Sequence, residues 1–233
     1  MAWQPTPKPA EVAESRLVQA ILDEEFPINS TLPAERELAH LLGITRPTLR
    51  EALQRLSRDG WLEIRHGKAT RVRNYWQEGS LGVLGAIAKH QDNLPPDFIT
   101  QLLEVRGLLA PTYTKLAIVR SHEKVIAVLN TVCDLPDTPQ AFARGDYQLH
   151  RKLTIESGNP VYTLILNGFA DLYQDMARIY FAKEIARSTS HQYYQALLRN
   201  AINQDSEGAE ALTRSVMHES IRIWQAAVRL GAT

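Results

Sequence analysis

The spacing of apolar residues divides the chain into three parts. Apolar residues recur at helical spacing over residues 11–60, partly alternate with polar residues over 62–73, and return to helical spacing from Leu81 onward. A period near 3.6 residues indicates helices, and a period of 2 indicates strands. The pattern therefore predicts a mainly α protein with one small β-hairpin between two helical parts.

Two short helices joined by a tight turn are predicted at about residues 35–54. The first carries leucines on one face and stops at Gly43, and Thr45 is placed to cap the second with its side-chain oxygen. The second helix repeats apolar residues at 3.6-residue spacing and ends at Gly60. A preceding helix over Glu11–Glu24 has its own apolar side, and we expect it to pack beneath this pair.

A hairpin with a basic tip is predicted after Trp61. The segments Leu62–Arg65 and Thr70–Arg73 are the predicted strands, and His66-Gly67-Lys68 supplies the turn. Helix, turn, helix and hairpin in this order are typical of a winged helix-turn-helix domain, which we place at residues 11–73. Such a domain has few plausible uses besides binding DNA.

Charge supports a nucleic-acid partner for this domain. Residues 30–73 hold nine lysines and arginines against five acids, whereas the whole chain carries 26 residues of each sign. Phosphate neutralisation supplies much of the affinity of DNA-binding proteins, so a local basic excess on a neutral chain indicates a DNA-binding surface. Cations and small hydrogen-bonding side chains also share the non-apolar face of the second helix: Arg46, Thr48, Arg50, Gln54 and Arg58.

The remainder of the chain is predicted to be an all-α domain over residues 81–233. A linker at 74–80 precedes it, and residues 1–10 form a mobile arm at the start of the chain. No convincing strand run occurs after the linker, so about seven helices are expected to form an effector-binding and dimerisation bundle. We place these helices at Leu81–His90, Asp97–Arg120, Glu123–Cys133, Gln140–Ser157, Pro160–Phe181, Arg187–Asn203 and Ala209–Leu230.

Composition narrows the class of protein. The chain has 233 residues, 44% of them hydrophobic, which suits two domains of ordinary size. Its one cysteine, Cys133, has no partner for an intramolecular disulfide, and no signal segment or apolar run of roughly 18 residues occurs. We therefore expect a cytoplasmic protein without a membrane partner. No nucleophile, phosphate-binding or dinucleotide motif is found, which argues against an enzyme.

Polar side chains interrupt the apolar stripes of two helices in the second domain. Arg106 follows a run of leucine and valine, and Tyr173, Arg178 and Tyr180 share one helix with leucines and a methionine. Helices that bury polar groups beside apolar stripes either pair those groups internally or use them to bind a ligand. Both uses are compatible with the pattern.

The motifs of the chain resemble those of a known bacterial family. LPAERELA, TRPTLREALQRL, DGWLEI and HGKATRV resemble the GntR family of winged helix-turn-helix regulators. Farther along, LLEVR, SGNPVYTLILNG, LYQDMARIYFAKEIARS and HESIRIW occur in the order and at the spacing of one subgroup, FadR, which regulates fatty-acid metabolism. The similarity runs from about residue 11 to residue 225.

The resemblance implies which residues contact DNA. In FadR the contacts come from the arginine of the PAER motif, the threonines and arginines of the TRxTLR segment and the HGK tip of the wing. Pro47 stands where FadR often carries a hydroxyl residue, which removes one possible phosphate contact. The matching positions in this chain are Arg36, Thr45, Arg46, Thr48, Arg50, His66, Gly67 and Lys68.

The resemblance also implies an effector and an assembly. FadR binds long-chain acyl-CoA in its helical domain and then leaves DNA, and Met217 here replaces a glycine beside the coenzyme. We accordingly expect a homodimer without a cofactor that represses fatty-acid degradation genes and activates unsaturated fatty-acid synthesis genes. The matching ligand positions are Arg106, Tyr173, Tyr180, Glu219, Ser220 and Trp224.

An alternative reading places a metal in the second domain. Asp146 and His150 lie four residues apart on one predicted helix and are able to share a metal, with His218 as a third ligand, as in metal-binding relatives of FadR within the GntR family. Such a protein would respond to a small carboxylate held by the metal. Those relatives usually supply one more histidine, and the matching position here is Gln195, a poor ligand for a transition metal.

Overall fold

The computed structural model describes residues 8–88 and 97–231. The chain divides into two units with a boundary between Leu94 and Pro95. The described residues are mainly helical, with one two-stranded antiparallel sheet, which confirms the predicted fold class. Residues 1–7 of the predicted arm and the end of the predicted helix Leu81–His90 lie outside the described residues.

The described part of the first unit contains five helices and a hairpin. Its elements are α1 (Pro9–Leu22), α2 (Glu35–Leu42), α3 (Arg46–Asp59), β1 (Leu62–Glu63), β2 (Arg71–Val72), α4 (Tyr75–Glu78) and α5 (Leu81–Ala88). Leu62 pairs with Val72 across the hairpin. The strands are shorter than predicted, because strand pairing ends at Glu63 and Arg71. Between them the Lys68 N–H donates to the Arg65 carbonyl at 3.2 Å and closes a turn that contains Gly67, whose φ is +69°.

The core of the first unit forms where α1 packs against α3. Apolar side chains at helical spacing meet there, as the sequence predicted for both helices. Trp61 is fully buried next to them, and its ring centroid lies 4.6 Å from that of Tyr75. The unit is therefore a winged helix-turn-helix. Its buried interhelical positions include Leu17, Val18, Ile21, Leu49, Leu53 and Leu56.

The segment after the hairpin differs from the predicted linker at 74–80. Residues of this segment form α4, Tyr75 is buried, and the Ser80 N–H donates to the Asp59 carbonyl over 2.9 Å. The next helix, α5, belongs to the first unit. The polar and glycine residues that suggested a linker mark helix boundaries instead. At the other end of the unit, α1 begins at Pro9, inside the predicted arm.

The described part of the second unit consists of helices. α6 is broken at Ser121, whose φ of −153° is not helical, so the predicted division at this point is confirmed. The single helix predicted over Pro160–Phe181 is wrong, because the chain leaves helical geometry at Phe169, directly after the turn-forming pair Asn167-Gly168. The helices are α6 (Phe98–Cys133), α7 (Pro139–Glu156), α8 (Pro160–Gly168), α9 (Ala170–Phe181), α10 (Glu184–Ile202) and α11 (Ser206–Gly231).

The long helix α6 is the centre of the second unit. It packs against α7, α10 and α11, and α7 packs in turn against α8 and α9. Buried apolar side chains of these helices form one continuous core, in which Ile118, Leu129, Leu149 and Phe181 are fully buried. Polar side chains of α6, α7 and α9 also meet inside this unit.

Gly60 and Gly43 provide a matched test of the packing at the entry to the hairpin. Both end a helix in the left-handed region, with φ of +98° and +67°. A Cβ on Gly60 would lie 2.7 Å from the Gly79 Cα, whereas a Cβ on Gly43 meets nothing within 4 Å. We expect Gly43→Ala to lower the free energy of unfolding by about 1 kcal/mol and Gly60→Ala by about 3 kcal/mol in urea denaturation. Equal losses would contradict the described packing.

Candidate functional site

The first candidate site is the exposed face of α3. Thr45 is the N-cap residue: its Oγ1 accepts a hydrogen bond from the Thr48 N–H at 3.3 Å and lies 2.8 Å from the Thr48 Oγ1. This bond satisfies one of the N–H groups left free at a helix start. Pro47 lies in the first turn, where its missing N–H costs nothing. The cap fixes the start of the helix that carries Arg46 and Arg50.

The residues predicted to contact DNA all lie in the first unit, and all except the half-buried Thr48 are exposed. Arg46 and Arg50 are one turn apart on α3, so they share a face of that helix. Arg36 lies on α2. The tip of the hairpin is formed by His66, Gly67 and Lys68.

Ion pairs cancel part of the basic excess of this unit. Five arginines lie within 3.7 Å of a glutamate oxygen: Arg50, Arg55, Arg65, Arg71 and Arg73. Of the nine cations in the segment, four form no ion pair with any residue described between 8 and 88. Three of these four are predicted DNA contacts, so free positive charge remains where phosphate is expected. The four are Arg36, Arg46, Arg58 and Lys68.

Glu63 holds the base of the hairpin. Its carboxylate accepts hydrogen bonds from the Arg65 Nε at 2.8 Å and from the Arg71 Nε at 2.9 Å. The hydrogen bonds from these two arginines lower the pKa of Glu63. Arg71 also donates to the Asn29 Oδ1 at 2.7 Å, which ties the second strand to the segment ahead of α2. The basic tip is therefore carried on a fixed base.

The second candidate site is a cavity of about 120 Å³ inside the second unit. Most of its wall is apolar and includes Leu102, Leu103, Leu109, Ile165, Leu166 and Met176. Arg106, Asp146 and Tyr173 form a hydrogen-bonded polar side, and the other polar lining residues include Tyr113, Tyr180 and Ser220. A lining of this composition suits an apolar ligand that carries a polar group.

Five of the six predicted ligand residues line this cavity: Arg106, Tyr173, Tyr180, Ser220 and Trp224. Glu219 lies outside the lining, with 44% of its side chain exposed, and pairs with Arg222 at 3.1 Å. Met217 also lies outside the lining. Met217 is buried in the core, and a Cβ added to Gly107 would lie 3.8 Å from the Met217 Cβ.

Asp146 on α7 anchors the polar side of the cavity. Its Oδ2 accepts hydrogen bonds from the Arg106 Nη2 at 2.9 Å and from the Tyr173 hydroxyl, and its Oδ1 accepts one from the Tyr194 hydroxyl at 2.9 Å. Burial alone would raise the pKa of this carboxyl, but the positive charge of Arg106 and the tyrosine hydrogen bonds outweigh burial and lower it. Asp146 is therefore a buried, ionised carboxylate.

His150 is the second acceptor for Arg106. The Arg106 Nη2 donates to the His150 Nε2 at 2.7 Å, and because a guanidinium only donates, this nitrogen carries no proton. The His150 Nδ1 then carries the proton and donates to the Tyr113 hydroxyl oxygen at 2.7 Å. Burial, together with repulsion by Arg106, lowers the pKa of His150 to about 3. The ring is therefore neutral at pH 7.

The hydrogen bonds from Arg106 show that Asp146 and His150 bind a guanidinium in this structure. The two side chains do converge, as their spacing predicted, but the point that they share is taken by the guanidinium of Arg106. His218 and Gln195 are both exposed, unlike the buried pair. Within residues 8–88 and 97–231, no three His, Cys, Asp or Glu side chains are grouped so that they could hold a metal ion. An arginine supplies the positive charge that the alternative assigned to a metal.

Sequence reasoning missed Tyr113 and Tyr194 as members of this polar network. Each lies at a buried position of a helix, α6 or α10, whose pattern is that of an ordinary core helix. The available signal was the residue type, because a buried tyrosine hydroxyl needs a hydrogen-bond partner. The pairing of Asp146 with Arg106 was not predicted, because the two residues lie 40 positions apart in sequence.

Two families account for the two parts of the chain. Residues 9–72 match the bacterial regulatory proteins of the gntR family, and residues 73–230 match the FadR C-terminal domain. The fatty acid metabolism regulator protein of Shewanella pealeana is 44% identical over 217 residues, which cover 93% of this chain and 91% of that protein. The protein of the same name from Shewanella frigidimarina is 43% identical with the same coverage. By name these relatives are regulators and not enzymes.

One solved structure shows the same fold. Lar, a protein that controls the expression of the Listeria monocytogenes agr system, matches with a TM-score of 0.61 over 97% of this chain and 100% of its own, at 17% identity. At this identity the likeness concerns the fold alone. No helix among the residues that the structure describes has the length and apolar character needed to cross a membrane.

The neutral, buried His150 makes the stability of the second unit depend on pH. In the unfolded chain a histidine takes up a proton below its ordinary pKa of 6.5, whereas folded His150 stays neutral down to about 3, so acidification favours unfolding. This residue should cost the protein about 2 kcal/mol of unfolding free energy between pH 7 and pH 5. Urea denaturation should show that His150→Gln loses this dependence.

The exposed His218 supplies the control for this prediction. His218→Gln removes a histidine that is not buried, so it should keep the pH dependence of the parent. A His150→Gln variant whose unfolding free energy still falls by the parental amount between pH 7 and pH 5 would contradict a neutral, buried His150.

Proposed function

Because the chain belongs to the FadR group of the GntR family of bacterial transcription regulators, we propose that it is a cytoplasmic homodimer that long-chain acyl-CoA releases from operator DNA. The relatives are regulators of fatty-acid metabolism. In this function the protein represses fatty-acid degradation genes and activates unsaturated fatty-acid synthesis genes. The observation that carries the proposal is an apolar cavity with one polar side in a chain whose other unit is a winged helix-turn-helix.

Recognition of DNA is assigned to α3 and the hairpin tip. Arg46 is exposed on the first turn of α3 and forms no ion pair with the described residues, so its guanidinium is free for a base edge. An arginine of this kind binds the O6 and N7 atoms of guanine with two hydrogen bonds. Lys68 at the hairpin tip carries a point charge suited to phosphate. In a symmetric dimer each contact occurs twice, once in each half-site.

Arg46→Ala should therefore abolish sequence-specific binding. Loss of a bidentate base contact in both half-sites should weaken operator binding by roughly 30-fold or more, while the fold is kept because Arg46 is exposed. The measurement is a fluorescence anisotropy titration on an operator duplex that the parent protein selects from a randomised pool.

Arg144→Ala is the matched control for Arg46→Ala. Arg144 is exposed on α7 in the second unit, so its removal takes away the same charge without touching the DNA-binding unit. The control should bind the operator with the parental affinity. An Arg46→Ala variant that is folded and binds equally well would contradict the assignment of α3 as the recognition helix.

Recognition of the effector is assigned to the cavity of the second unit. The Arg106 Nε is buried and has no hydrogen-bond partner among the described residues, so an oxygen of a ligand would satisfy it. The apolar walls would cover an acyl chain, and each buried methylene contributes up to about 0.8 kcal/mol. We therefore expect affinity to rise with chain length, less the cost of ordering the chain.

Ser220→Asn should make the protein insensitive to the effector while leaving DNA binding intact. Ser220 is a buried residue of the cavity lining, and its Oγ donates to the Met217 carbonyl at 2.7 Å, so a larger side chain would enter the ligand space. Oleoyl-CoA should release the parent from the operator but not the variant. Ser215→Asn, at an exposed position of the same helix, should respond as the parent does.

Calorimetry with a chelator present completes this test. Oleoyl-CoA should bind the parent more tightly than octanoyl-CoA, because the walls contact the longer chain over more of its length. Binding should not require a metal, since the positive charge on the polar side of the cavity belongs to Arg106. Absence of heat and of DNA release with oleoyl-CoA would contradict the acyl-CoA assignment.

A further inference from the structure

A carboxylate of α2 holds an arginine of the recognition helix. The Arg50 Nε donates to the Glu35 Oε2 at 2.7 Å, and the two residues are 15 positions apart in sequence. The side chain of Arg50 is 64% exposed and that of Glu35 is 35% exposed. This is the one hydrogen bond that Arg50 makes with residues that the structure describes.

The pair is too exposed to be explained by stability alone. Ion pairs in contact with water contribute on the order of 0 to 1 kcal/mol to folding, and salt screens them further. A carboxylate on a DNA-binding surface also repels phosphate, so Glu35 opposes the non-specific part of DNA affinity. A different role for the pair is therefore required.

We propose that Glu35 is a positioning residue that sets the sequence selectivity of Arg50. The inference rests on the proposed function, in which α3 reads base edges. A free arginine side chain samples many rotamers and contacts phosphate or base with little discrimination. When Glu35 accepts from the Nε, the guanidinium plane is fixed and its two Nη groups remain available. Two parallel N–H donors are what the O6 and N7 atoms of guanine accept.

The charge of Glu35 and its contact with Arg50 affect DNA binding in different ways. Its negative charge lowers the affinity for any phosphate backbone, whereas the guanine contact that it organises exists only on the correct sequence. The charge effect is common to specific and random DNA and cancels from the ratio of their affinities, whereas the guanine contact raises that ratio. Loss of Glu35 should therefore increase binding to random DNA and decrease selectivity at one base pair in each half-site.

Glu37 offers a matched control on the same helix. Both acids lie in the first turn of α2, where a negative charge stabilises the helix dipole. Glu37 is exposed and forms no ion pair with the described residues, so Glu37→Gln removes the same charge without releasing Arg50. A difference between the two variants isolates the contact with Arg50 from the general effect of charge.

The test compares specific and non-specific DNA binding of the full chain. Parent, Glu35→Gln and Glu37→Gln are titrated on a selected operator, on a random duplex and on operators with each base pair changed in turn. Glu35→Gln should lower the ratio of specific to non-specific affinity roughly tenfold, with the loss confined to one guanine in each half-site. Glu37→Gln should leave this ratio at the parental value.

An Arg50→Lys background shows whether the effect passes through Arg50. Lysine keeps the charge but lacks the Nε and the paired Nη donors, so adding Glu35→Gln to Arg50→Lys should not change the ratio further. If the parent selects an operator but Glu35→Gln keeps the parental ratio, the role proposed for Glu35 is wrong, and the proposed function is unaffected. A parent that selects no sequence from the pool would overturn the proposed function and this inference together.

Discussion

The ion pair between the partly buried Arg106 and the buried Asp146 is the constraint on which the second unit depends. A guanidinium cannot escape burial by losing its proton, so α6 places a permanent charge inside the unit, and the neighbouring helices must supply acceptors. Asp146 and the neutral His150, both on α7, accept hydrogen bonds from Arg106. The network is completed by Tyr113 on α6, Tyr173 on α9 and Tyr194 on α10. This arrangement fixes α6 against α7 and leaves one polar side on an otherwise apolar cavity.

Periodicity and capping were sufficient to predict most of the fold. Leucines at helical spacing located α1, α2 and α3, and Thr45 caps α3 as predicted. The break at Ser121 was also predicted from the pattern. The break at Phe169 was not, because the apolar stripe continues through it and only Asn167-Gly168 signals a turn. The segment at 74–80 was misread because Tyr75 is anchored by packing on Trp61, a tertiary contact that composition does not encode.

The sequence predicted which residues belong to the candidate sites, but it did not predict the hydrogen bonds and ion pairs among them. A resemblance of motifs is enough to place Arg106 and Ser220 in the helical domain, yet the choice between an arginine and a metal beside Asp146 depends on which helices pack together. The same holds in the first unit, where charge counting cannot tell which cations are already paired. Arg50 and Arg71 are paired by glutamates, whereas Arg46 forms no ion pair with the described residues. Long-range contacts of this kind follow from tertiary structure and not from spacing.

In the proposed function, the DNA-binding unit and the ligand cavity share one coupling free energy. Four dissociation constants measured in the same buffer test it: operator with and without saturating oleoyl-CoA, and oleoyl-CoA with and without saturating operator. If the two sites are linked, oleoyl-CoA must weaken operator binding by the factor by which operator weakens oleoyl-CoA binding, typically about 5–150-fold. If operator and oleoyl-CoA bind independently, both factors equal one, and the proposed coupling between the two sites is wrong.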